Sequence, residues 1–182
     1  MKGFSLLEVL IAMAISSMLL LGAARFLPAL QSGILQQTQQ QNMEEEIWLR
    51  LSMVAKHLQR AGYCGSDNCQ GEPLVIGQQG QCVIVRWDVN SNGIWENTAD
   101  ERADSIGFRL HDSALETSRG AISCEGNGWE KITDPTTFTV THFQVTRHAI
   151  NGFPPELTLT MAASTRRGGE ANMQYSVTGY NL

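Results

Sequence analysis

From Phe4 to Ala24 the only charged residue in a predominantly apolar run is Glu8. Wound as an α-helix at ~1.5 Å per residue, such a run is roughly 30 Å long, the thickness of a bilayer's hydrocarbon core. Lys2 and Arg25 flank it. Three readings compete. In a cleaved secretory signal, Lys2 is the basic region and Gly22-Ala23-Ala24 the small-residue cleavage site. In a plain anchor the run simply spans. In the third reading it is processed at its very start and retained. Glu8 separates them, because a carboxylate in lipid costs about 3 kcal/mol unless neutralised or paired. Neither a removable signal nor a simple anchor gains from it. Ser5-Leu6-Leu7-Glu8 also fits the S-x-x-E capping box, in which side chains satisfy free amides at a helix start. With a cut after Gly3, Phe4 carries a free amine, and Glu8 becomes the counter-ion for the amine of a neighbouring copy. That pairing makes assembly depend on axial register. Capping and pairing are compatible.

Past the apolar run the helical signal continues. Pro28 removes a backbone donor and is expected to bend or loosen the helix, and Gln36 to Gln41 reads as a solvated stretch. Then Met43, Ile47, Leu51, Val54, Leu58 and Ala61 recur at spacings of three and four, one apolar stripe on a helix. Lys56, His57 and Arg60 complement the helix dipole in its last turns, and Gly62 is a natural stop. From Leu74 the period changes to that of strands. Val83, Val85 and Trp87 alternate with Ile84 and Arg86, and Ile106–Leu110 forms a second candidate. Phe138 and Val140 slip phase against Phe143 and Val145 near Thr141-His142, which predicts a bulge. Leu157, Leu159, Met161 and Met173, Tyr175, Val177 keep a clean period of two, with Asn151-Gly152 and Arg167-Gly168-Gly169 as turns. The expected fold is α+β: one long N-terminal helix whose stripe covers an antiparallel sheet. The segments divide as 1–3, a leader; 4–28, the membrane half of the helix; 29–62, the docking half; and 63–182, a β-rich globular domain.

The formal net charge of −5 argues against a nucleic-acid-binding face. Cys64, Cys69, Cys82 and Cys124 all lie in the polar part; an even count behind an exported N-terminus favours two disulfides and an oxidising compartment. Three pairings are open, of which Cys64 with Cys69 and Cys82 with Cys124 is preferred. Asp88-Val89-Asn90-Ser91-Asn92-Gly93 matches the first half of a calcium loop, so Asp88, Asn90 and Asn92 are candidate ligands. An EF-hand needs a glutamate at the twelfth position, where Ala99 stands; Glu96, Asp100 and Glu101 are the candidates to complete the shell. The competing reading is a polar turn set by Asn92-Gly93. His57, His111, His142 and His148 lack metal spacing and suit surface or capping roles. Trp48, Trp87, Trp95 and Trp129 suit cores better than sugar sites. Nucleophile-elbow, phosphate-loop and zincin motifs are missing, and no catalytic residue or cofactor other than calcium is indicated.

Lys2-Gly3 followed by Phe4-Ser5-Leu6-Leu7-Glu8-Val9-Leu10-Ile11-Ala12 resembles the class III signal of type IV pilins and type II secretion pseudopilins. The resemblance implies that a prepilin peptidase cuts between Gly3 and Phe4 and methylates Phe4, and that Glu8 is the assembly glutamate. The leader is shorter than usual for the family, which places the expected start codon upstream. Glu45–Arg50, Ala55–Cys64, Trp87–Trp95 and Tyr175–Leu182 extend the resemblance to one branch of that family over nearly the whole chain. It implies a minor pilin similar to the W-type minor pilins and J-type pseudopilins. The implied partners are the major pilin, other minor pilins, the prepilin peptidase and the inner membrane. The implied location is the inner membrane with a periplasmic domain, then an extracellular pilus. Two other functions are carried alongside: a calcium-dependent adhesin on the same anchor, and an ordinary secreted protein cleaved near Ala24.

Overall fold

The computed structural model describes residues 5–96, 98 and 103–182. Helix α1 runs Leu6–Arg60. Pro28 lies inside it without ending it. The chain divides into two units, the first ending at Gln41 and the second running Asn42–Leu182. Within the first, every described residue from Ser5 to Gln39 is exposed. Here α1 is long and apolar enough to cross a membrane.

In the second unit the predicted stripe is the core. Met43, Ile47, Leu51, Val54, Leu58 and Ala61 are all buried, joined by Ala55. The helix stops at Arg60, and Gly62 donates its N–H to Arg86 O at 2.9 Å.

Among the described residues eight strands follow, in two antiparallel sheets rather than the single sheet expected. One is β1 (Leu74–Gly77), β2 (Cys82–Arg86), β3 (Ser105–His111), β4 (Ala114–Arg119) and β5 (Glu130–Lys131), hydrogen-bonded in that order. A 3-10 turn at Gln78–Gly80 links β1 to β2. The other sheet is the predicted meander of β6 (Thr139–Ile150), β7 (Phe153–Ser164) and β8 (Glu170–Thr178). The slip of phase in β6 is a real bulge. Val140 pairs with Ala163 and His142 with Ala162, leaving Thr141 as the extra residue. In β7, Leu157, Leu159 and Met161 are fully buried while the residues between them are half-buried.

The helical stripe, Val83, Val85 and Phe108 of the first sheet and Phe143, Leu157 and Leu159 of the second form one hydrophobic cluster. The first sheet is also covered on its other face, which explains why β2 buries Cys82, Val83, Ile84 and Val85 in succession. A strand buried on both sides loses the alternation that marks a half-exposed one. The predicted alternation through Trp87 stops short, because β2 ends at Arg86 and Trp87 N–H bonds to Asp104 O at 3.0 Å.

Candidate functional site

The start of α1 is organised by Glu8. Ser5 occupies the N-cap position, and its backbone N–H donates to Glu8 Oε2 at 2.9 Å. Val9 N–H bonds to Ser5 O at 3.3 Å. This is the glutamate's half of a capping box, which satisfies one of the free amides at a helix start. Gly3 and Phe4, the expected processing and assembly residues, lie outside the described residues. Ala12, Ser16 and Leu20 follow Glu8 at helical spacing and line a shallow groove with it.

Both disulfides form within the second unit. Cys64–Cys69 closes a short loop after α1, and Cys82–Cys124 joins β2 to the segment between β4 and β5. The second bond pins a cover onto the far face of the first sheet. A side chain at Gly107 would collide with the Trp129 ring and with Ala121, so only glycine lets that cover close. Arg109 completes the layer. Its guanidinium lies 4.4 Å from the Trp129 ring centre, and it donates to Cys124 O at 2.8 Å and to the buried Glu116 Oε2 at 2.9 Å. Desolvated cation–ring and charge-assisted contacts of this kind are well suited to arginine.

The loop after β2 is built on Asp88, which is 2% exposed. Asp88 Oδ2 accepts from Gly65 N–H at 2.9 Å and Gly93 N–H at 2.8 Å, and Oδ1 accepts from Asn92 N–H at 3.0 Å. Burial works against the charged carboxylate, but these backbone donors outweigh it and hold the Asp88 carboxyl below its ordinary range. Asn90 Oδ1 accepts from Asn92 N–H at 2.9 Å, and Asn92 Oδ1 from Ile94 N–H at 3.0 Å. The three candidate ligands are therefore brought together around one turn, with Gly93 at φ +85° where L-residues are strained.

The structure adds a residue that the sequence reading missed. Asp104, 1% exposed, accepts from Val89 N–H and Glu96 N–H at 2.9 and 2.8 Å. Its side chain meets that of Glu96. Burial and the Glu96 carboxylate push the Asp104 carboxyl up, while the hydrogen bond from Asp104, then that from Asn92, draws Glu96 down. Glu96 Oε1 accepts from Asn92 Nδ2 at 2.5 Å; Glu96 Oε2 is enclosed, with no N–H or hydroxyl donor among the described residues. Asp104 stands just before β3, sixteen positions after Asp88, and no local pattern signals it. Asp100 and Glu101, the other candidates to complete the shell, lie outside the described residues.

His57 and Trp48 both depart from the roles expected of them. His57 is neither a surface nor a capping residue. It packs 5.0 Å from Trp87 and 5.5 Å from Phe108, ring centre to ring centre. Burial first, then Arg60 and Arg119, lower its pKa to about 4. Trp48 is half-exposed and leans on Tyr175 at 5.3 Å. Trp95 donates its indole N–H to Tyr63 O at 3.2 Å.

An apolar N-terminal helix capped by a lone glutamate, running on into the core of an antiparallel α+β domain, defines a pilin-like architecture. The comparisons with known proteins place it more closely. A model of the prokaryotic N-terminal methylation motif matches residues 1–24, and one of prepilin peptidase-dependent protein B matches residues 36–180. The chain is 58% identical over 183 residues to prepilin peptidase-dependent protein B of Escherichia coli (strain K12), a match covering 100% of this chain and 97% of the relative. The chain belongs to the prepilin peptidase-dependent protein B family. No solved structure matches it.

Proposed function

We propose that this chain is a minor pilin: a structural, non-catalytic subunit, held in the inner membrane with its domain in the periplasm, that helps start assembly of a type IV pilus at or near the tip. Its partners on this reading are the prepilin peptidase, the major pilin and other minor pilins. The observation that carries the reading is Glu8, the lone charge between Ser5 and Ala24, a stretch of α1 whose described side chains are exposed around its whole circumference. A helix apolar all round belongs in lipid or among other helices. Small residues beside Glu8, Ala12 and Ser16, permit close approach of a neighbour. The alternative with the same mechanism is a J-type pseudopilin of a type II secretion system. N-terminal sequencing of the mature protein from membranes tests the reading. Methylated Phe4 at the terminus is expected, and a chain beginning near Arg25 or beyond, free in the periplasm, would sink it.

A second reading concerns the Asp88 loop. We infer that it holds a calcium ion that fixes the loop, with Asp88, Asn90, Asn92, Glu96 and Asp104 supplying oxygen. What favours it is the abutting of two carboxyl side chains, Glu96 and Asp104, with one Glu96 oxygen enclosed and reached by no N–H or hydroxyl donor among the described residues. A hard cation bound by oxygen relieves both conditions. Calorimetric titration of the full chain is expected to show heat and a raised unfolding temperature with calcium and not with magnesium. No heat and no shift at millimolar calcium leaves the polar turn as the whole account.

A further inference from the structure

A cavity of about 510 Å³ opens beside the last turns of α1, between that helix and the first sheet. Its lining contains two enclosed polar atoms that make no hydrogen bond to the described residues, His57 Nδ1 and Ser105 Oγ. Ser105 is 2% exposed. Arg60 and Arg119 line the same cavity, as do the aromatic rings of Trp87 and Tyr63. Both arginines act on His57 through their charge, which locates that charge at the cavity whatever else the guanidiniums bond. Asp88 also borders it, and its carboxylate accepts from three backbone N–H groups. The two guanidiniums on this lining offer N–H donors to an oxygen anion. Guanidinium pairs match the flat, two-oxygen face of a carboxylate. A serine hydroxyl and a neutral imidazole nitrogen can each donate or accept, so both can adapt to it.

We propose that this cavity binds a carboxylate carried on a small apolar body. Arg60 and Arg119 meet the charge, Ser105 and His57 turn their unpartnered atoms to the oxygens, and Trp87 and Tyr63 hold the apolar part. Nothing in the pilin reading requires such a site, and its success or failure leaves that reading untouched.

The test uses the full chain in detergent micelles, followed by NMR of the Trp87 indole and His57 ring. Acetate, butyrate, N-acetylleucine, phosphate and chloride are titrated at constant ionic strength. Saturable shifts are expected with butyrate and N-acetylleucine, at concentrations about 10-fold below acetate, because each buries apolar surface that acetate lacks. N-acetylleucine presents a chain-terminal carboxylate and butyrate a free small acid. Either ordering of the two supports the site and assigns its source. Arg60→Gln, on the exposed rim, should weaken binding about 10-fold, and Ser105→Ala about 5-fold. Shifts that never saturate, that chloride or phosphate reproduces, or that neither variant changes would overturn the proposal. Those outcomes leave the cavity to solvent.

Discussion

His57 is held between two aromatic rings with its Nδ1 unpartnered among the described residues, an environment that favours the neutral imidazole. Its pKa falls from 6.5 to about 4, so the folded domain binds that proton less readily than the unfolded chain. Above pH 6.5 both states carry neutral histidine, and the packing contributes in full. As pH falls from about 6.5 toward 4 the unfolded state takes up the proton first, and stability is lost over that window. His57→Phe keeps a ring of similar size and removes the titration. Its unfolding free energy, from denaturant melts in chloride buffers at several pH values, should be flatter between about pH 4 and 6.5 than that of the parent chain. Parallel pH profiles would show that His57 protonates without strain. Asp88 works in the same direction lower on the scale. Its depressed carboxyl contributes above the unfolded value of 3.8, and that contribution is lost as pH falls through the still lower folded value.

At the scale of elements, the two disulfides do unequal work. Cys64–Cys69 spans 5 positions and Cys82–Cys124 spans 42. Closing the longer loop restricts the unfolded chain more, by about 4 kcal/mol against about 2 kcal/mol in the chain-entropy estimate. The longer bond also pins the Trp129 cover over Gly107. Replacing Cys82 and Cys124 together by alanine should therefore lower the denaturation midpoint about twice as far as replacing Cys64 and Cys69. Equal losses would mean that the cover stays closed without its tether. These elements also show what a sequence can and cannot reveal. The docking stripe and the β6–β8 meander were legible because each is buried on one side, so period and burial coincide. The first sheet was only half legible. Val83, Ile84 and Val85 are buried on both faces, and β4 opens with Ala114, Leu115 and Glu116 all buried, so neither strand shows alternation. Asp88, Asn90 and Asn92 were legible as a loop because their spacing is local. Asp104 was not, because its role arises only when β3 is laid beside β2.

On the whole-molecule scale, the division at Gln41 and Asn42 separates two kinds of surface. The second unit has a closed core of its own; in the first, the described apolar side chains from Leu6 to Leu35 stay exposed. Stability of the domain and assembly of the helix are thus separable properties, and Glu8 is where they can be pulled apart. Glu8 accepts the Ser5 N–H, a task that a glutamine side chain performs as well. A counter-ion for the amine of a neighbouring Phe4 requires the charge, which glutamine lacks. Breaking a buried ion pair on one side costs about 3–5 kcal/mol, more than about a hundredfold in the equilibrium for adding a subunit. Glu8→Gln should therefore reach the membrane and be processed, unfold at the parent's temperature, and yet be lost from sheared filaments, with few pili on the cell. Glu8→Ala should do the same, with some fraying of the first helical turn. Were Glu8→Gln incorporated normally while Glu8→Ala failed, capping alone would account for the residue. Normal incorporation of both would remove Glu8 from the mechanism, and the register of the assembled helices would have to come from their packing.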